Sequence, residues 1–163
     1  MRGQLKALRD KMKERGIDTY IVPTTDYHGS EYVNEYFKCR EYVSGFTGSA
    51  GTLVIRKDFA GLWTDGRYFL QAAQQLDGTG IELMKMGAPG VPSLADYLKD
   101  QPEGSVIGFD GRVVSRSLGE CLEGKFDIVY DRDMVGDIWT DRPEIVASEI
   151  YQIGLDLTRE SSA

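Results

Sequence analysis

The chain has 163 residues, with 19 Lys plus Arg against 26 Asp plus Glu and a formal net charge of -7. That length suits one domain able to bury its own core without disulfides. The acidic balance is opposite in sign to a phosphate-binding footprint, and no apolar run approaches the roughly 18 residues that would span a bilayer, so neither nucleic acid nor a membrane is an expected partner.

The chain opens on Met1-Arg2-Gly3-Gln4-Leu5-Lys6, which is charged and leads into an amphipathic pattern rather than a signal core. Leu5, Leu8 and Met12 recur at helical spacing with Lys6, Arg9 and Lys13 off that face, and Gly16 supplies a stop. The run Asp18 to Pro23 is short, β-branched and closed by proline, and reads as a buried strand. A long polar loop follows, from Thr24 through Asp26, His28, Ser30 and Glu31 to the aromatics Tyr32, Tyr36 and Phe37, where no period is evident. After the glycine-rich turn Ser44 to Gly51, Thr52–Arg56 and Ala60–Trp63 are separated by the hairpin-length gap Lys57-Asp58-Phe59 and are predicted to pair antiparallel.

Phe69, Ala72, Ala73 and Leu76 mark a helix with one face on the sheet and Gln71, Gln74 and Gln75 outward, ended by Asp77-Gly78. The remainder alternates: strand over Ile81–Met86, serine-capped helix over Ser93–Lys99, strand over Val106–Phe109, helix over Ser115–Glu123 and strand over Phe126–Tyr130. Such alternation predicts an α/β fold with a layered sheet containing at least one antiparallel element. Residues 1–137 are the expected domain, and 138–163 the expected exit linker and start of a further domain.

The constellations that could carry chemistry are sparse. Gly45, Gly48 and Gly51 could cradle a phosphate with successive amides, yet they lack the Lys-Ser/Thr ending of a P-loop and lead into a strand. Turn glycines with positive φ account for them. His28 is the only histidine, so a loop hydrogen-bonding role is expected ahead of metal ligation. Asp65 is placed to cap the following helical turn, while Arg67 could pair with a carboxylate of the protein or of a ligand. Ser49 has no strand-to-helix elbow, and Cys39 and Cys121 have neither CxxC spacing nor a histidine nearby; they are read as reduced thiols of a cytoplasmic protein.

Four runs in order carry a family resemblance: Tyr20-Ile21-Val22-Pro23, His28-Gly29-Ser30-Glu31-Tyr32, Val43 through Thr52, and Trp63 through Ala72. Together they resemble the N-terminal domain of aminopeptidase P, the Xaa-Pro aminopeptidases of the creatinase/prolidase superfamily. Leu83-Met84-Lys85-Met86-Gly87 and Ile138 through Glu144 are similar to its three-domain form, and Gly154-Leu155-Asp156-Leu157-Thr158 to the opening of the middle domain.

The resemblance implies a mixed β-sheet flanked by helices with the ribonuclease-H-like motif. It also implies a separate C-terminal pita-bread domain binding two divalent metal ions, usually manganese, through two aspartates, a histidine and two glutamates. There a bridging hydroxide attacks the carbonyl preceding proline. That ligand set cannot be fitted to this chain, so no catalytic residue, metal ligand or cofactor is expected in it. The implied role is non-catalytic: subunit contacts in a homodimer, contacts with the middle and catalytic domains, and the rim of a cleft that admits short proline-containing peptides. His28, Glu31, Tyr32 and Arg67 are the rim candidates carried over by position in the matching motifs.

Two other classes stay open. One is a free-standing binding or dimerisation module that uses Tyr32 and Tyr36 as contact surface. The other is a compact enzyme built on Asp26, His28, Glu31 and Asp65 around one metal.

Overall fold

The computed structural model describes residues 2–147 together with Glu149 and Tyr151; the segment Gly154–Thr158 lies outside the described residues. Helix α1 covers Gly3–Arg15, buries Leu5, Leu8 and Met12, and ends where Gly16 takes φ 66, a left-handed conformation that glycine adopts without strain. Strands β1 (Thr19–Pro23), β2 (Thr52–Arg56) and β3 (Ala60–Thr64) form an antiparallel meander, with Tyr20 opposite Ile55 and Leu53 opposite Leu62. Strands β4 (Glu82–Lys85), β5 (Val106–Phe109) and β6 (Asp127–Val129) add in parallel, β4 beside β3, β5 beside β1 and β6 beside β5. The resulting order β4-β3-β2-β1-β5-β6 is the mixed, ribonuclease-H-like sheet that the resemblance implies.

Period-2 alternation divides the core between the two faces. Tyr20, Val22, Leu53, Ile55 and Leu62 point to one side and pack with Leu5, Leu8, Met12, Ala72 and Leu76. Ile21, Val54 and Trp63 point to the other and pack with Leu98, Ile107, Phe109 and Leu122. The covering helices are α1, α2 (Cys39–Ser44), α3 (Phe69–Gln75) and α6 (Met134–Ile138) on the first face, with α4 (Leu94–Lys99) and α5 (Arg116–Glu120) on the second. Ser93 and Ser115 cap α4 and α5 by accepting from the amides of Asp96 and Leu118.

Three expectations need correction. The segment before the glycine turn contains a 3₁₀ turn over Glu35–Phe37 and helix α2, which no sequence period announces. In α3 Gln74 is outward as expected and Ala73 is outward beside it, whereas Gln71 and Gln75 turn half-inward, because both amides bond the Thr47 hydroxyl, at 2.9 and 3.0 Å. Gly48 does not take a positive φ: a Cβ there would stand 2.3 Å from Phe46 Cζ and 2.7 Å from Tyr68 Cδ1, so close packing requires the glycine. Gly45, at φ 78 and capping α2, does fit the turn reading.

Residues at the start of the expected exit segment lie against the domain. Trp139 stacks on Tyr42 with centroids 4.4 Å apart and 9° between the planes, and Tyr42 Oη donates to the Ile138 carbonyl at 3.1 Å. From Pro143 to Ala147 the chain is exposed.

Candidate functional site

The register places the C-terminal ends of β1, β3 and β5 and the start of β2 at one end of the sheet, since Pro23 pairs with Thr52, Thr52 with Trp63, and Ile21 with Phe109. The loops that leave this end carry the candidate residues. Asp26 builds the first: its Oδ1 accepts from the amides of Ser30 (3.0 Å) and His28 (2.8 Å), and Gly29 takes φ 75 between them. The Ser30 amide is the larger cause, and the His28 amide a further one, of an Asp26 carboxyl held below the usual carboxylate range. His28 is exposed and contributes its backbone amide to this turn.

Glu31 and Arg67 converge. Glu31 Oε1 accepts from the Ser49 hydroxyl at 2.8 Å and faces Arg67 Nη1 at 3.4 Å. Asp65 caps the 3₁₀ turn over Gly66–Tyr68 through the Arg67 amide at 3.0 Å, as the capping expectation requires. It also grips the guanidinium with both oxygens, at 3.0 Å to Nε and 2.9 Å to Nη2. That fork lowers the Asp65 carboxyl and raises the Arg67 guanidinium further. Ser49 continues the chain to Tyr68 Oη at 2.7 Å.

Two grooves flank this ridge. One, of about 380 Å³, is lined by Tyr32, Arg40, Tyr68 and Gln71, the other, of about 640 Å³, by Asp26, Gly29 and Arg112, and Glu31 and Ser49 line both. Tyr32 is 83% exposed at the lip of the smaller one. Tyr36, grouped with Tyr32 as a possible exposed aromatic, is instead half-buried beneath the Arg142 guanidinium, 3.6 Å from its ring centroid.

Beneath the ridge lies Arg40, 4% exposed, whose guanidinium donates to Thr24 Oγ1 at 2.5 Å, to the Phe46 carbonyl at 2.7 Å and to the Gly48 carbonyl. It ties β1's exit to the glycine turn and so fixes where Ser49 stands. Burial pulls its pKa down to about 10. Nothing in the sequence marks Arg40, since its partners are two carbonyls and a hydroxyl distant along the chain.

The grouping of Asp26, His28, Glu31 and Asp65 around a metal does not fit this geometry. Asp26 is engaged by amides, Asp65 by Arg67, and Glu31 by Ser49 and Arg67. Among the described residues no group of three or more His, Cys, Asp or Glu stands close enough to hold an ion. No helix among them is long and apolar enough to cross a membrane.

The fold and the ridge define a class: a mixed-sheet α/β domain with a polar, pre-ordered loop face and no assembled ligand set for a metal among the described residues. Residues 4–142 match the model of the Creatinase/Prolidase N-terminal domain, and the chain belongs to that family. It is 43% identical over 156 residues to Aminopeptidase P2 of Arabidopsis thaliana, covering 87% of this chain and 22% of that protein. It is 43% identical over 157 residues to a probable Xaa-Pro aminopeptidase P of Talaromyces marneffei, covering 92% of this chain and 24% of the relative. The chain thus spans under a quarter of the length of these curated relatives.

Among solved structures, it superposes on the X-prolyl aminopeptidase of Caenorhabditis elegans, a cytosolic enzyme with a di-nuclear active site. The TM-score is 0.86 at 33% identity, over 97% of this chain and 28% of the other. It also matches the N-terminal domain of the cytoplasmic peptidase PepQ of Mycobacterium tuberculosis, with TM-score 0.58 at 26% identity, over 85% of this chain and 99% of that one.

Proposed function

We propose that this chain is the non-catalytic N-terminal domain of a metal-dependent Xaa-Pro aminopeptidase whose full protein removes the N-terminal residue ahead of proline in the cytoplasm. The observation that carries this reading is the 43% identity to Aminopeptidase P2 over a stretch that makes up only 22% of that protein. The chemistry then belongs to residues outside this chain, with two divalent ions, usually manganese, supplying a metal-bound nucleophile there.

The chain's own contribution is the rim. Ser49 and Arg67 hold the Glu31 carboxylate in place before any peptide arrives, so it can accept from a peptide N–H without an ordering cost. Tyr32 offers an exposed ring on which an apolar side chain of a short proline-containing peptide packs. His28 lies on the same loop, in the turn that Asp26 holds through the His28 amide. The other faces of the domain serve contacts with the middle and catalytic domains and, in a homodimer, with a second subunit.

The test is Xaa-Pro cleavage by the full protein with Glu31→Gln, Tyr32→Ala and Arg67→Ala introduced singly. A rim role predicts raised KM with little change in melting temperature. Wild-type KM in all three variants would remove these residues from the rim.

A further inference from the structure

Among the described residues, Arg142 is the last of the chain's exit to be held by several contacts at once. Its side chain is 10% exposed and reaches three residues on two segments of the chain. Nη1 donates to Asp133 Oδ2 at 2.5 Å, Nε to the Tyr36 carbonyl at 2.8 Å, and Nη2 to Cys39 Sγ at 3.0 Å. Asp133 is itself fixed: Oδ1 caps α6 through the Gly136 amide at 2.8 Å, and Oδ2 also takes Arg112 Nη2 at 3.3 Å. Arg112 in turn lies 5.5 Å over the Tyr27 ring. Tyr27 and Tyr36 both meet Phe37 edge-on, at 4.7 and 5.0 Å, and Arg142 covers Tyr36.

These contacts close into a ring running Arg142, Asp133, Arg112, Tyr27, Phe37, Tyr36 and back. Between Tyr27 and Tyr36 runs the loop that carries Glu31 and Tyr32, so the ring grips that loop at both ends. Pro143 follows at once and biases Arg142 toward extended backbone, which fixes the point from which the chain departs.

We propose that Arg142 is a positioning residue coupling the chain's exit from the domain to the loop bearing Glu31 and Tyr32. A displacement at the exit reaches the loop through the ring, and a ligand on the loop is felt at the exit by the same route. The planar guanidinium is essential, because one ammonium cannot serve the carboxylate, the carbonyl and the aromatic face together. The link to peptide handling rests on the rim reading above.

Hydrogen–deuterium exchange on the full protein tests the coupling, with Arg142→Lys, Arg142→Ala and Tyr42→Phe. Arg142→Lys keeps a cation beside Asp133 and so remains informative if the alanine variant fails to fold. Both Arg142 variants are expected to speed exchange across residues 26–37 about tenfold or more, with the amides of β2 and β3 unchanged. Tyr42→Phe loosens the exit by removing the hydroxyl that donates to the Ile138 carbonyl, a contact outside the ring, and leaves 26–37 at the wild-type rate. In Arg142→Lys, KM for a Xaa-Pro peptide rises while kcat holds. Unchanged exchange over 26–37 in Arg142→Lys, or equal acceleration in Tyr42→Phe, overturns the coupling, and accelerated exchange with unchanged KM overturns its link to the rim. A full protein that shows the exchange pattern but cleaves no Xaa-Pro bond retains the coupling and overturns the functional reading instead.

Discussion

Arg67 and Glu31, 36 positions apart, meet at 3.4 Å on the surface because Asp65 holds the guanidinium from one side and Ser49 holds the carboxylate from the other. The pair is exposed, with side chains 60% and 44% accessible, so water screens it and it adds little to stability. Arg67→Ala is therefore expected to leave the melting temperature of the full protein nearly unchanged while it reduces kcat/KM for Xaa-Pro peptides. Calorimetry beside a cleavage assay checks this, and equal loss of stability and turnover goes against a rim role.

Arg40 gives the opposite expectation. Its guanidinium is buried and satisfies the carbonyls of Phe46 and Gly48. Arg40→Ala strands those acceptors and is expected to cost about 2–4 kcal/mol, or on the order of 2–4 °C in Tm per kcal/mol for a chain of this size. Arg40→Lys recovers only part of that, since one ammonium cannot span both carbonyls and Thr24. Thermal unfolding of the two variants decides the matter.

At Gly48 an added methyl runs into Phe46 and Tyr68, rings that pack edge-on with centroids 5.7 Å apart. Gly48→Ala is predicted to destabilise by about 1–3 kcal/mol through overpacking. Phe46→Leu combined with Gly48→Ala recovers part of the loss if the clash is the cause, and urea titration of the single and double variants reads it out.

Burial pushes the Cys39 thiol up to about 12 against the opposing pull of the Arg142 charge, and burial raises the Tyr20 phenol as well. Both groups are neutral in the fold and ionise more readily unfolded. Their stabilising contribution is present below the unfolded thiol value of about 8.5 and is lost as pH rises through the folded one. Stability should fall between about pH 9 and 12, less steeply in Cys39→Ala, as followed by denaturant midpoints across that range. At pH 8 a thiol reagent should label Cys39 slowly in the native protein and much faster once the chain is unfolded.

Period and punctuation made most of the fold legible. Leu5, Leu8 and Met12 announced α1, Gly16 its end, and the Lys57-Asp58-Phe59 gap the β2–β3 hairpin. Short elements without a period did not announce themselves. Helix α2 spans only Cys39–Ser44 and mixes Arg40 with Val43 on its buried side. Gln71 and Gln75 turn half-inward because Thr47, on a distant turn, offers them a hydroxyl.

The site divides the same way. Asp65 as a cap followed from local chain geometry, and the structure brings Glu31, Tyr32 and Arg67 to one ridge. Ser49 as the residue that holds Glu31, and Arg142 as the closing member of a ring, depend on contacts made across 18 and about a hundred positions, which no local pattern encodes.

The most direct test of the central claim compares two samples, the full protein and residues 1–151 alone, for release of the N-terminal residue from a Xaa-Pro peptide with manganese supplied. The account predicts cleavage by the full protein and none by the shorter chain, whose melting temperature manganese leaves unchanged. Metal-dependent cleavage by residues 1–151, or no Xaa-Pro cleavage by the full protein, would contradict it.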